Sequence, residues 1–250
     1  MTDPSFWAGQ DRSRDHIVAH LPESVEVIAP FLPMIPERRD VPIVVYPVPG
    51  MTTCYGAPDG GQLFGLYHGA DAEEMLLFLS HTYYHELSAS LSSEAARAAE
   101  SDPSTAERFQ RWVMLLIRNE GIANFAVLEP LRGLRDRGIP FHYFKYAQLV
   151  DNIDATAKAM FAYQQLMAML NHETVEKVSR RVSAVLKNPR LPVINLIGIH
   201  MAEAIARHFG ERTLLDVDQK EPEEFFDRFA RTGDPLCAEL LGTTASGATA

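Results

Sequence analysis

Apolar positions follow two rhythms along this chain. Between residues 41 and 68 they fall in short runs. Val41-Pro42-Ile43-Val44-Val45-Tyr46-Pro47-Val48 and Gln62-Leu63-Phe64-Gly65-Leu66-Tyr67-His68 read as strands, parted by the turn signal Pro58-Asp59-Gly60-Gly61. Prolines at both ends of the first run suit an edge strand. Beyond about residue 70 the rhythm turns helical. Met75, Leu76, Leu79, Tyr83, Leu87 and Leu91 stripe a helix predicted over 70–99. Phe109, Trp112, Val113, Leu116 and Ile117 mark a second over 105–137, opened by a Ser104/Glu107 capping box and interrupted at Pro130. Long helical patterns cover 141–170, 172–187 and 193–209, the last closed by Gly210, and a short one covers 221–231. Ahead of the strands, Ile17, Leu21, Val25 and Ile28 predict a helix over 15–31, split or kinked at Pro22.

The expected class is therefore α+β and mainly helical, a small N-terminal β-sheet followed by a helical bundle. Residues 15–240 read as one domain, with a sheet region over 15–69 and a helical region over 70–240. Residues 1–14 are polar and expected to be loosely held. Residues 241–250 are low-complexity and expected to be disordered.

Composition narrows the partners. The net charge is −10 over 250 residues, and Lys and Arg form no patch, which excludes a nucleic-acid or anionic-membrane partner as the expected reading. No apolar run reaches membrane-spanning length, and the N-terminus lacks a basic-then-apolar signal pattern. The two cysteines, Cys54 and Cys237, match no CxxC pattern and suit a reducing compartment. The expected location is the cytoplasm.

The candidate chemistry sits in His81-Thr82-Tyr83-Tyr84-His85-Glu86. Histidines four apart on a helix lie about 40° apart around the axis and about 6 Å apart along it, so both imidazoles share a face and can share one metal ion. A surface pair is the plain alternative, but the neighbours Leu76-Leu77-Phe78-Leu79 and Tyr83-Tyr84 are apolar, and buried imidazoles need partners. Glu86, at the edge of that face, reads as a carboxylate able to move a proton beside a metal-activated water; the alternative is a solvated helix residue. Glu120 and Asn124 share one face of the next helix, in an otherwise apolar stretch. A buried acid needs a cation or a donor. For Glu120 that cation is a metal or, more plainly, Arg118 or Arg111. Gly121 allows another helix to come close, and Asn124 could orient a ligand histidine. Two histidines and a carboxylate make a His2Glu set of the kind that holds catalytic zinc with one open position.

In this order the residues resemble the gluzincin group of zinc metallopeptidases. The likeness is greatest to an uncharacterised set of zinc-dependent peptidases whose second motif, Glu-Gly-Ile/Leu-Ala, stands here as Glu120-Gly121-Ile122-Ala123. A later helix of their type is Gly198-Ile199-His200-Met201-Ala202-Glu203-Ala204-Ile205. The resemblance spans about 41–217 and implies a metallopeptidase-like helical bundle. It further implies His81, His85 and Glu120 as ligands, Glu86 as the catalytic carboxylate, Asn124 behind the ligands, and His200 as a stabiliser of the tetrahedral oxyanion. The group's usual motif is His-Glu-x-x-His; here the order is His-x-x-x-His-Glu, so either the acid is displaced or one histidine is lost.

The expected function is a metal-dependent hydrolase using metal-activated water on a peptide or amide-like substrate. The alternatives are a lyase, a small-molecule hydrolase or non-haem iron chemistry on the same scaffold, or a metal-free binding protein. Zinc is the expected metal, with iron or another divalent transition metal as the alternative. The partner is a peptide or small-molecule substrate, and a homodimer stays open.

Overall fold

A computed structural model describes residues 4–28, 43–47, 54–56, 62–66, 71–91, 104–186 and 190–237. The chain divides into two compact units, Met1–Leu87 with Ala126–Ala147, and Ser88–Phe125 with Gln148–Ala250.

The first unit opens on α1 (Pro4–Ile28). Proline at the first helical position lacks only an N–H that would be unpaired there. The helix runs through Pro22 rather than splitting at it, and it takes in most of the N-terminal stretch expected to be loose. Ile17 of α1 packs with Met75 and Leu79, joined by Ala72, Leu76, Phe78 and Tyr143. Three strands follow, β1 (Ile43–Pro47), β2 (Cys54–Gly56) and β3 (Gln62–Leu66). β3 lies between the others, parallel to β1 and antiparallel to β2. Then come α2 (Ala72–Leu91) and, later in the chain, α4 (Leu128–Asp136), which buries Leu128, Leu131 and Leu134.

The expectation of an α+β protein built as an N-terminal sheet followed by a bundle is corrected. A helix precedes the strands, and the rest of the described chain consists of helices and the segments joining them. Strands of three and five residues offer too little surface to organise a core of this size. The protein is helical.

The second unit is built around α7 (Val193–Phe209), which buries residues around its whole circumference, Val193, Leu196, Ile197, Ile199 and Met201 among them. A helix apolar all round belongs at the centre of its unit. Against it pack α5 (Ile153–Met169), α6 (Val175–Leu186), α8 (Arg212–Asp218) and α9 (Pro222–Ala230). Gly210, at φ +88°, ends α7 in a conformation that glycine adopts freely. α3 (Ala106–Ala126) crosses α7 where Gly121 meets Gly198. A Cβ on Gly198 would stand 2.3 Å from the Ile117 carbonyl oxygen, and one on Gly121 would stand 2.5 Å from the Gly198 carbonyl. The two backbones touch there, which no side chain would permit.

Several predicted boundaries move. The break in 105–137 falls at Val127, not Pro130, because Pro130 sits in the first turn of α4, where its missing N–H costs nothing. At the start of α3, Thr105 Oγ1 accepts from the Arg108 N–H at 3.2 Å. Residues 141–152 are not α-helix: a 3-10 turn occupies Lys145–Leu149, and α5 starts only where Asn152 accepts from the Ala155 N–H. The short α8 escaped the pattern reading. The tail at 241–250 lies outside the described residues.

Candidate metal centre

α2 starts at a side-chain cap, with Asp71 Oδ1 accepting from the Glu73 N–H at 2.9 Å. Three turns on, His81 and His85 bring their Nε2 atoms to 3.1 Å. The rings meet edge to face, 4.6 Å between centroids at 80°. His81 is buried and His85 half-buried. That spacing suits either of two arrangements. Two neutral imidazoles can share one N–H···N hydrogen bond. Two ligands of one tetrahedral zinc, with Zn–N near 2.0–2.1 Å, stand about 3.3 Å apart.

The wall beside His81 is aromatic. Phe144 meets its ring edge-on at 5.7 Å, and Phe78 lies parallel at 6.2 Å and stacks on Tyr143. Glu74 fixes that wall. Fully buried, it accepts from the backbone N–H groups of His142 (2.9 Å), Tyr143 (2.7 Å) and Phe144 (3.1 Å) at Oε1, with a further bond from His142 to Oε2. Burial pushes its pKa above the usual carboxylate value, and the three amides pull the other way. Nothing in the sequence pattern singles out Glu74. Its bonds run to residues some 70 positions away, which no local pattern signals.

Glu120 belongs to the α3–α7 crossing. Its Oε2 accepts from Asn195 Nδ2 at 2.9 Å and from Asn124 Nδ2 at 3.2 Å, and Asn124 also donates to the Glu120 carbonyl at 2.7 Å. Neither plain cation serves this acid. Arg118, two residues earlier and so about 200° around the helix, is buried against Asn119 Oδ1 (3.0 and 2.9 Å), the Lys220 carbonyl and Asp218. Arg111 pairs with Glu221 and Glu223. The sequence could not separate a metal from an arginine as the partner of Glu120; the structure removes both arginines.

Among the described residues, His81, His85 and Glu120 carry the donors of a group that could hold a metal ion. Two imidazole nitrogens and one carboxylate oxygen are a donor set that zinc accepts with a position to spare, so the residues present fit the metal. The sequence match agrees. The family described as "Putative zinc dependent peptidase (DUF5700)" matches residues 18–232. The chain belongs to this family. At that level it is a member of a family described as zinc-dependent peptidases, and it carries the donors of a His/His/Glu group that could hold a metal. No curated protein and no solved structure matches the chain. Among the described residues no helix is long and apolar enough to cross a membrane.

The remaining predicted residues fare differently. Asn124 donates through Nδ2 to Glu120. His200 is not part of the metal-capable group. It stands five residues after Asn195, about 140° further around α7, where its Nε2 lies 3.0 Å from Asp234 and its ring meets Phe229 edge-on. Glu86 falls within α2, but its side chain lies outside the described residues. Asn195 carries no sequence signal and was missed: an asparagine on an apolar helix acquires meaning only from the carboxylate it touches.

Proposed function

We propose that the protein is a zinc-dependent hydrolase of gluzincin type, acting on a peptide or amide-like bond, with His81, His85 and Glu120 as the zinc ligands. The observation that carries this reading is the His/His/Glu group in a chain of this family. When bound, the ion supplies Lewis acidity and brings the deprotonation of water toward neutral pH. The chain's own part is to hold and exclude. The Phe78, Tyr143 and Phe144 rings keep water from the flank of His81. The two asparagines restrain the Glu120 carboxylate. Glu86, one position after His85, takes the proton of the attacking water on a carboxylate oxygen and returns it to the leaving nitrogen.

The position of Glu86 favours a second reading of the same centre. With the acid after the second histidine instead of the first, the substrate is a small amide or another hydrolysable bond rather than a protein chain. Incubating the purified protein with casein, short peptides and small amides, with and without a chelator, separates these readings. Chelator-sensitive cleavage of peptides supports the first, and cleavage of small amides alone supports the second. Turnover that survives full metal removal contradicts both. Glu86→Gln is expected to keep the metal and lose turnover; normal turnover in that variant would remove Glu86 from the mechanism.

A further inference from the structure

We infer that Asn195 is a positioning residue for the metal centre. Together with Asn124 it confines Glu120 to ligation through a single carboxylate oxygen. The inference rests on the ligand assignment proposed above and adds a residue that lies far from the motifs in sequence.

The argument starts from lone pairs. An ionised carboxylate offers roughly four acceptor positions, two on each oxygen. Asn195 Nδ2 at 2.9 Å and Asn124 Nδ2 at 3.2 Å both end on Oε2 of Glu120. Two N–H donors occupy both acceptor positions of that oxygen, which removes the two-oxygen grip that an unrestrained carboxylate can take. The donors are well anchored. Asn124 is fully buried and braced by its bond to the Glu120 carbonyl. Asn195 sits in the first turn of α7, one helical turn before Gly198. The backbone contact between Gly198 and Gly121 fixes how far α7 stands from α3. The glycine crossing thus sets the reach of Asn195 to the acid beside Gly121. A one-oxygen ligand keeps the coordination number low, and a hydrolytic zinc needs a position left over for water.

The test uses the full-length protein, stripped of metal and then titrated with zinc or cobalt(II). Asn195→Leu keeps the volume and removes the donor; Asn195→Ala serves as a second variant should leucine disturb the packing. Zinc affinity is read by competition with a chromophoric chelator, and metal-free stability by thermal melting. The expected result is a loss of zinc affinity of about 10- to 100-fold, with the melting temperature of the metal-free protein unchanged. In the cobalt form, the visible bands are expected to weaken in the variants as Glu120 takes up the metal through both oxygens and the coordination number rises. Wild-type affinity and an unchanged cobalt spectrum in both variants overturn the inference and leave the ligand assignment standing. A fall in affinity matched by an equal fall in metal-free stability overturns it too, because Asn195 would then only be holding the fold. If the wild-type protein takes up no zinc or cobalt at all, the ligand assignment itself fails, and the role of Asn195 fails with it.

Discussion

Glu74 and Glu120 are both acids on helices whose neighbours are apolar, and the two regions treat them in opposite ways. Glu74, in the first unit, is fully buried and spends its oxygens on three consecutive backbone amides. Those amides belong to a segment with no regular helix to satisfy them, so the carboxylate replaces the partners that a helix would supply. Glu120, in the second unit, is half-buried and accepts on one oxygen from asparagines on two different helices. One carboxylate is consumed by the fold. The other is held by it, in a pose that suits a ligand. The difference teaches that burial alone does not mark a functional acid; the kind of donor, and which oxygen it occupies, is more telling.

Variants that try to break this contrast are expected to separate stability from metal binding. The largest loss of stability falls on Glu74→Ala, which strands up to three buried N–H groups and costs about 3–5 kcal/mol, measured by urea unfolding. Gly198→Ala comes next. Its Cβ would meet the Ile117 carbonyl at 2.3 Å and the Gly121 Cα at 2.7 Å, backbone atoms that cannot swing aside. The expected cost is about 3 kcal/mol, together with weaker zinc binding as Asn195 moves off Glu120. Glu74→Gln has a smaller and pH-dependent effect. The pKa of Glu74 is raised in the folded protein, so the folded state binds its proton more tightly than the unfolded chain does. Its titration therefore contributes stability that is full below the ordinary value of 4.5 and is lost as pH rises through the folded pKa. The stability of wild type relative to Glu74→Gln should fall across that range, as read from paired unfolding curves. The smallest change is expected at the next residue. Glu73 is exposed and pairs with exposed Arg137, and Arg137→Ala should cost under about 0.5 kcal/mol by the same method. A cost as large as that of Glu74→Ala would mean that proximity to the N-terminus of α2, rather than the amide bonds, gives Glu74 its weight.

What the sequence made legible follows from what helices do to local spacing. His81 with His85, and Glu120 with Asn124, stand four residues apart, so helix geometry alone puts each pair on one face. Gly121 could be read as a point of close approach, but its partner Gly198 could not, since nothing in α3 names the helix that will cross it. Asn195 and the backbone partners of Glu74 were hidden for the same reason: they are contacts between distant stretches of chain. The surroundings of His200 were hidden too, since its direction depends on which face of α7 meets α3. The fold class was overdrawn toward sheet because short apolar runs between prolines read as strands, and the strands that do form are too short to organise a core around them.

The central claim is that one zinc ion is held by His81, His85 and Glu120 together. The most direct measurement is the zinc content of the purified protein and of His81→Ala, His85→Ala and Glu120→Ala, each checked for folding by circular dichroism. The account predicts one equivalent of zinc in the wild-type protein and loss of the metal in each folded variant, with Glu74→Gln retaining it. Zinc retained at one equivalent in all three ligand variants, or never taken up by the wild-type protein, would contradict it.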